Sequence, residues 1–165
     1  MEFTIEKMTA ADWPEVRAIY LTGIATGHAS FELDAPTWEI WDAKHLPDFR
    51  FVARNVEDVC GWTALSPVSQ RRAYAGVAEL SIYVAPESQC RGIGHALLVA
   101  IIARSEEGGI WTLQSGVFPE NAASVRLHLK CGFREVGRRE RLGKRDGAWR
   151  NVLLLERRSK VAGVD

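Results

Sequence analysis

Apolar and polar positions alternate over residues 3–7, the period of a half-buried strand. Behind this strand, Thr9 and Asp12 offer helix-capping oxygens ahead of Trp13, Val16, Ile19 and Tyr20, which recur at helical spacing. Pro14 falls in the first turn, where its missing N–H costs little. The pattern breaks over residues 23–30, and residues 37–45, behind Pro36, predict a short second helix closed by Pro47 and Asp48. Residues 51–54 and 59–65 are strand candidates around a polar turn at 55–58, the sequence form of a β-hairpin. A polar connection at 66–72 leads to residues 77–84, the clearest central strand. After a loop at 86–94, residues 96–106 supply a helix so apolar that most of its sides must be buried. Residues 111–117 give another strand, 121–130 another helix, and 134–142 with 150–156 a last antiparallel pair joined through 143–147. The tail after Arg158 is expected to fray.

The resulting order is strand, helix, helix, three strands, helix, strand, helix, two strands, with no internal repeat and no low-complexity linker. It describes an α/β chain with a mixed sheet rather than a doubly wound fold, in which residues 1–158 make one domain and 159–165 a flexible tail. The length of 165 residues leaves little room for a second domain. With 47% hydrophobic and 25% charged residues, the composition excludes a disordered chain.

Lys and Arg number 21, as do Asp and Glu, so no overall field draws the molecule to nucleic acid or to an anionic bilayer. Any anionic ligand must be held by a local site. Cys60, Cys90 and Cys131 form no CxxC pair, which argues against a zinc ribbon and a disulfide framework, and no cluster has metal-ligand spacing. The first residues lack a basic segment followed by an apolar one, and the longest apolar run, residues 96–103, falls well short of the roughly 20 needed to span a bilayer. A cytoplasmic protein with no membrane or nucleic-acid partner and no metal is expected.

The sharpest motif is Gln89-Cys90-Arg91-Gly92-Ile93-Gly94, directly after a strand and directly before a helix. Its glycines let backbone approach a ligand closely, and successive N–H groups at a helix start make a cradle for a pyrophosphate. Taken alone, the same turn also serves merely to cap a helix. A P-loop is excluded because His95 and Ala96 stand where Lys and Ser or Thr would be required, and a dinucleotide fingerprint fails because its third glycine would fall at Leu97. Downstream, Asn121, Ser124, Lys130, Gly132 and Phe133 form an Asn-x-x-Ser…Lys-x-Gly-Phe segment.

These two motifs, in this order, resemble the GNAT superfamily of N-acetyltransferases. Residues 23–32, residues 74–84 with acidic Glu79, and Pro119-Glu120-Asn121 are similar to its phosphinothricin acetyltransferase branch, which acetylates the α-amine of glutamate-like amino acids. The likeness covers residues 3–158. It implies the GNAT fold, a mostly antiparallel, splayed sheet of about seven strands flanked by about four helices. It also implies acetyl-CoA as co-substrate, a small amino acid as acceptor, a role in resistance, and a homodimer.

Acetyl-CoA carries a pyrophosphate, an amide-rich arm and a thioester. Gln89, Cys90, Arg91, Gly92, Ile93, Gly94 and His95 would hold the pyrophosphate, while Ile82, Tyr83 and Val84 would hydrogen-bond the pantetheine arm as a strand edge does. The resemblance adds Asn121 on the opposite side, although an Asn there also suits a helix N-cap. The acceptor amine must lose a proton, and the resemblance favours Glu79 as the base. A carboxylate in a half-buried strand holds its proton more tightly, which suits a base at neutral pH, whereas an ion pair at the sheet surface is the plainer alternative. His128 is the second titratable candidate, as acid, base or packed ring. By the same likeness Arg71 and Tyr74 match acceptor contacts and Phe31 an apolar wall, the plainer reading of Arg71 and Arg72 being a solvated pair in a loop. The remaining alternatives are an acetyltransferase for protein N-termini or aminoglycosides, and a non-catalytic acyl-CoA-binding module.

Overall fold

The computed structural model describes residues 2–56 and 58–164. Glu57, inside the turn expected at 55–58, lies outside the described residues, as do Met1 and Asp165 at the two ends. The elements are β1 (Thr4–Lys7), α1 (Trp13–Ala25), α2 (Trp38–Lys44), β2 (Arg50–Arg54), β3 (Val59–Pro67), β4 (Val77–Val84), α3 (Ile93–Glu107), β5 (Thr112–Val117), α4 (Ala122–Lys130), β6 (Arg134–Arg145) and β7 (Ala148–Arg158). Among the described residues the seven strands form one sheet in the order β1-β2-β3-β4-β5-β7-β6. The mixed sheet and the order of elements agree with the sequence reading.

Every neighbouring pair in the sheet is antiparallel except β4 and β5. That parallel contact covers only Val77 against Thr112, Ala78 against Leu113 and Glu79 against Gln114. Beyond it β4 stays on β3 as far as Val84 opposite Gly61, while β5 stays on β7 as far as Val117 opposite Leu153. The sheet therefore opens into a fork whose apex is the Glu79 and Gln114 pair.

Two apolar layers cover the sheet. On one face Trp13, Val16 and Ile19 of α1 and Trp41 of α2 pack on Val52, Trp62 and Ala64. On the other, Leu98, Ile101 and Ile102 of α3 pack on Leu65, Leu80, Leu113 and Leu155, with Phe133 closing the end. Burial of each valine, leucine, isoleucine or phenylalanine among them contributes about 1.5–3 kcal/mol. The expected near-total burial of α3 holds for its inner residues, while Val99 remains 49% exposed.

Several boundaries differ from the sequence reading for identifiable reasons. Helix α1 continues through the expected break at Gly23, because that position must be small: a Cβ there would stand 2.6 Å from the Tyr83 ring. Helix α3 begins at Ile93 rather than Ala96, since Gly92 adopts a left-handed φ of 82° and lets the chain turn directly into the helix. The last hairpin turns at Asp146 and Gly147 rather than across 143–147. Both residues have positive φ, 49° and 78°, as a two-residue turn between twisted strands requires.

The tail expected to fray is held instead. The Arg158 guanidinium donates to the carbonyls of Trp111, Ser159, Ala162 and Gly163, and the Ser159 hydroxyl donates to Glu106 at 2.9 Å. Trp41 and Trp62 are buried, whereas Trp149 is exposed beside Lys144. No helix among the described residues is long and apolar enough to cross a membrane.

Buried Gly76 precedes β4 against the face of Trp111, where a Cβ would meet ring atoms at 2.1–2.4 Å. Gly76→Ala is expected to cost about 1–3 kcal/mol through overpacking. Urea unfolding followed by tryptophan fluorescence reads this as a lower midpoint at unchanged slope, and an unchanged midpoint would refute the tight packing.

Candidate active site

The fork between β4 and β5 opens into two cavities. One, of about 370 Å³, is lined by Glu79, Ser81, Gln114, Ser115, Phe31, Glu32, His128 and Arg139 among others. The second, of about 630 Å³, runs along β4 to the start of α3 and is lined by Gln89, Cys90, Gly92, Ile93, Gly94 and His95. His28, Ala29, Ile82, Tyr83, Asn121 and Ser124 line both and so form the wall where they meet.

At the apex, the Gln114 amide Nε2 donates to the Glu79 carboxylate at 3.2 Å. Glu79 is exposed, not half-buried as its strand context suggested, at the last pair before β5 leaves β4. The Ser115 hydroxyl lies 3.5 Å from the Leu80 carbonyl and replaces, at long range, a ladder bond lost to the fork.

His128 is almost fully buried on α4. Its Nδ1 lies 2.7 Å from the Ser124 carbonyl, so Nδ1 carries the proton of the neutral ring and Nε2 presents its lone pair. Among the described residues that Nε2 has no partner. Burial pushes the ring's pKa below the ordinary histidine value, outweighing the opposite effect of the Ser124 carbonyl. The edge-to-face contact with Phe133, at 5.0 Å between ring centres, fixes its orientation.

Tyr83 stacks on Trp62 at 4.9 Å between ring centres, and its hydroxyl donates to the Ala29 carbonyl at 3.2 Å. Burial first, and then the neighbouring Tyr20, hold its phenol firmly protonated. Asn121 is the N-cap of α4: its side-chain oxygen accepts the Ser124 N–H at 3.2 Å, which leaves its amide N–H groups to the cavities.

The cradle has the chemistry of an anion site. The N–H groups of Ile93, Gly94 and His95 fall in the first turn of α3, where no carbonyl within the helix can accept them. Cys90, with φ of 60°, and Gly92 bend the preceding backbone around that point. The Ile93 side chain points into the core, so only its backbone faces a ligand. Of the residues expected to hold the cofactor, all but Arg91 line the larger cavity.

The acceptor set fares differently. Phe31 lines the smaller cavity, set edge-to-face on Phe118 at 4.8 Å, as an apolar wall would be. Arg71 and Tyr74 line neither cavity; they are exposed, and the Arg71 guanidinium lies 5.5 Å from the Tyr74 ring centre. The resemblance put them at the acceptor; here residues 72–74 form a short 3-10 helix ahead of β4, outside the lining of both cavities. Sequence reasoning did not single out Tyr20, Glu32, Gln114, Ser115 or Arg139 as site residues; Glu32 lies in the stretch 23–32 that carries the resemblance, while no motif marks the other four.

Two arginines of the β6–β7 hairpin hold the loop that walls both cavities. Buried Arg145 donates to the carbonyls of Ile24 at 2.6 Å, Glu32 at 2.8 Å and also Ser30. Arg150 donates to the Gly27 carbonyl at 2.7 Å and to His28 Nδ1 at 3.2 Å, and stands 4.2 Å above the Phe118 ring. It also pairs with Glu120 at 3.3 Å. The Glu120 backbone N–H first, and this arginine after it, hold the Glu120 carboxyl below the usual range. Among the described residues no group of three or more His, Cys, Asp or Glu side chains is placed to hold a metal ion.

Comparison with known proteins places this geometry. Residues 10–133 match the family model described as acetyltransferase (GNAT) family. The chain is 34% identical to phosphinothricin N-acetyltransferase of Alcaligenes faecalis, over 93% of this chain and 81% of that protein. It is 25% identical to an L-methionine sulfoximine/L-methionine sulfone acetyltransferase of Pseudomonas paraeruginosa, over 94% of each. Among solved structures it superposes on the acetyl-CoA complex of a phosphinothricin acetyltransferase from Sinorhizobium meliloti with a TM-score of 0.88 and 25% identity, covering 100% of this chain and 92% of that one.

The buried ring of His128 and the half-buried ring of His45 have folded pKa values depressed by desolvation. As pH falls below the ordinary histidine value of about 6.5, the unfolded chain takes up protons that the folded chain refuses, so stability falls between pH 7 and 5. NMR titration is expected to give a His128 midpoint below 6.5. A midpoint at or above that value would contradict the burial of a neutral ring.

Proposed function

The chain belongs to the GNAT acetyltransferase family and is an acetyl-CoA-dependent N-acetyltransferase, and from that premise we propose that its acceptor is the α-amine of a small glutamate-like amino acid of the phosphinothricin or methionine sulfoximine type. Acetylation of such a compound removes the charged amine and serves detoxification. The observation that carries this reading is the meeting of two cavities of different chemistry at one wall. The larger has the anion cradle that a pyrophosphate needs, and the smaller has the size and polar lining of an amino-acid site. A module that only bound acyl-CoA would have no use for the second. The names of the relatives favour the same acceptors.

Acetyl-CoA supplies a thioester, whose acyl carbon is already activated toward amines, so no metal is called for. The chain's own residues then have four tasks. Gly92, Gly94, His95 and the neighbouring N–H groups neutralise phosphate charge. The free edge of β4 at Ile82, Tyr83 and Val84, facing Asn121 across the fork, orients the arm. Glu79, solvated and steadied by Gln114, takes the ammonium proton through water. His128, neutral and with its Nε2 lone pair free, is equipped to accept a proton rather than to donate one, which makes it a second base or relay and not an acid in the resting enzyme. A homodimer belongs to the same proposal by resemblance, and a cytoplasmic location is proposed with it.

Purified protein mixed with acetyl-CoA and a panel of amino acids, aminoglycosides and short peptides is expected to release thiol with the glutamate-like amino acids. Glu79→Gln is expected to lose about 10²–10⁴-fold in kcat with the Kd for CoA unchanged. Full turnover in that variant would remove Glu79 as the base, and thiol release only with peptides or aminoglycosides would replace the acceptor class.

A further inference from the structure

Among the residues that line the smaller cavity, Arg139 is the one arginine or lysine, and Glu32 and Glu79 line the same cavity. Among the described residues it makes no hydrogen bond and no ion pair, unlike Arg145 and Arg150 on the same hairpin. It stands opposite Val152 in the β6–β7 register and so shares that residue's face of the sheet. Val152, Leu154 and Leu142 line the cavity beside it. This is an apolar wall with a single unpaired guanidinium.

The backbone is arranged to produce this wall. After Arg139 against Val152, the next matched pair is Gly143 against Arg150, so residues 140–142 of β6 face only Asn151. Arg141 takes a positive φ of 48° within this bulge, and its N–H donates to the Asn151 side-chain oxygen at 2.9 Å. In a regular strand, residues 139 and 142 would face opposite sides of the sheet. The bulge turns both toward the cavity, the kind of re-aiming that bulges produce beside sites.

Resting on the acceptor class proposed above, we propose that Arg139 is the specificity-determining residue for that class, holding an acidic group on the acceptor's side chain. The acceptor is then an amino acid whose side chain ends in an anion, a phosphinate or a carboxylate, in preference to a neutral isostere. The ammonium end is drawn to Glu79 and the anionic end to Arg139, which orients the amine toward the wall shared with the larger cavity. A guanidinium fits such oxyanions with two parallel N–H bonds, and its position opposite Val152 leaves an aliphatic stem beside an apolar neighbour while the charge stays solvated. This is the cation that the sequence reading sought in Arg71, supplied from a strand more than sixty residues further along the chain.

The test compares phosphinothricin, whose side chain is anionic, with methionine sulfone, whose side chain is neutral, on the wild type, Arg139→Gln and Arg139→Lys. Wild type is expected to prefer phosphinothricin. In Arg139→Gln the ratio of kcat/KM for phosphinothricin to that for methionine sulfone is expected to fall by about 10–100-fold, with the loss in KM, and Arg139→Lys to recover part of it. An equal loss on both substrates would assign Arg139 to the α-carboxylate or to structure and overturn the proposal, as would an unchanged ratio. Should wild type turn over no amino acid, the acceptor class falls; the rise in Tm with added phosphinothricin then decides Arg139 separately. Loss of that rise in Arg139→Gln supports the anion contact, and a rise equal to wild type, or none in either protein, overturns it.

Discussion

The parting of β4 and β5 after three parallel pairs is the constraint on which the rest of the molecule depends. Two strands that separate inside a sheet leave backbone groups without a ladder partner, and such groups must be satisfied by other means. Ser115 partly covers the Leu80 carbonyl, and β3 keeps the opposite edge of β4 fully paired. What is left is a strand edge inside the protein, flanked on one side by the first turn of α3 and on the other by the capped start of α4. An extended ligand with amides along its length fits such an edge as a further strand would. The catalytic carboxylate proposed at Glu79 stands where the fork begins, because that is the last position at which both strands contribute side chains to one point.

A fork needs walls, and here they come from far away in the chain. Residues 26–32 have little regular structure of their own, and the hairpin β6–β7 holds them through Arg145 and Arg150. Burying a guanidinium costs several kcal/mol unless its donors are met. The Ile24 carbonyl at the end of α1 and the Ser30 and Glu32 carbonyls of the loop meet the terminal nitrogens of Arg145, while its Nε makes no hydrogen bond among the described residues and lies 3.4 Å from Asp146. The exchange works both ways: the carbonyls gain donors in a segment too irregular to supply its own, and the loop takes one defined position. Helix α1 seats the start of this loop by laying Gly23 on the Tyr83 ring, which Trp62 and Tyr20 hold from other sides.

The elements were legible in the sequence because they rest on local periodicity. The alternation in residues 77–84, the apolar run that became α3 and the Asn121 cap each state their own secondary structure. Boundaries moved where a glycine served a contact or a φ angle that periodicity does not encode, as at Gly23, Gly92 and Gly147. The tail after Arg158 carries no periodic pattern, whereas the Arg158 guanidinium reaches the carbonyls of Ser159, Ala162 and Gly163 within it and that of Trp111 outside it. Nothing in residues 159–164 announces those bonds, since every one of their acceptors is backbone.

The sequence by itself determined the cradle and the central strand, because a ligand that approaches backbone demands glycines and a helix start at fixed spacing, and such demands are written in consecutive residues. It also put Glu79, Asn121 and His128 among the candidates. The tertiary structure alone decided which side chains share the smaller cavity: Arg71 and Tyr74, next to β4 in sequence, line neither cavity, while Arg139 arrives from β6 by way of a bulge. It decided also that Glu79 is solvated and that His128 is buried and neutral. The physical reason is that burial, register and charge pairing are properties of what a residue faces across the sheet, and a strand partner sixty residues away leaves no mark on the local pattern.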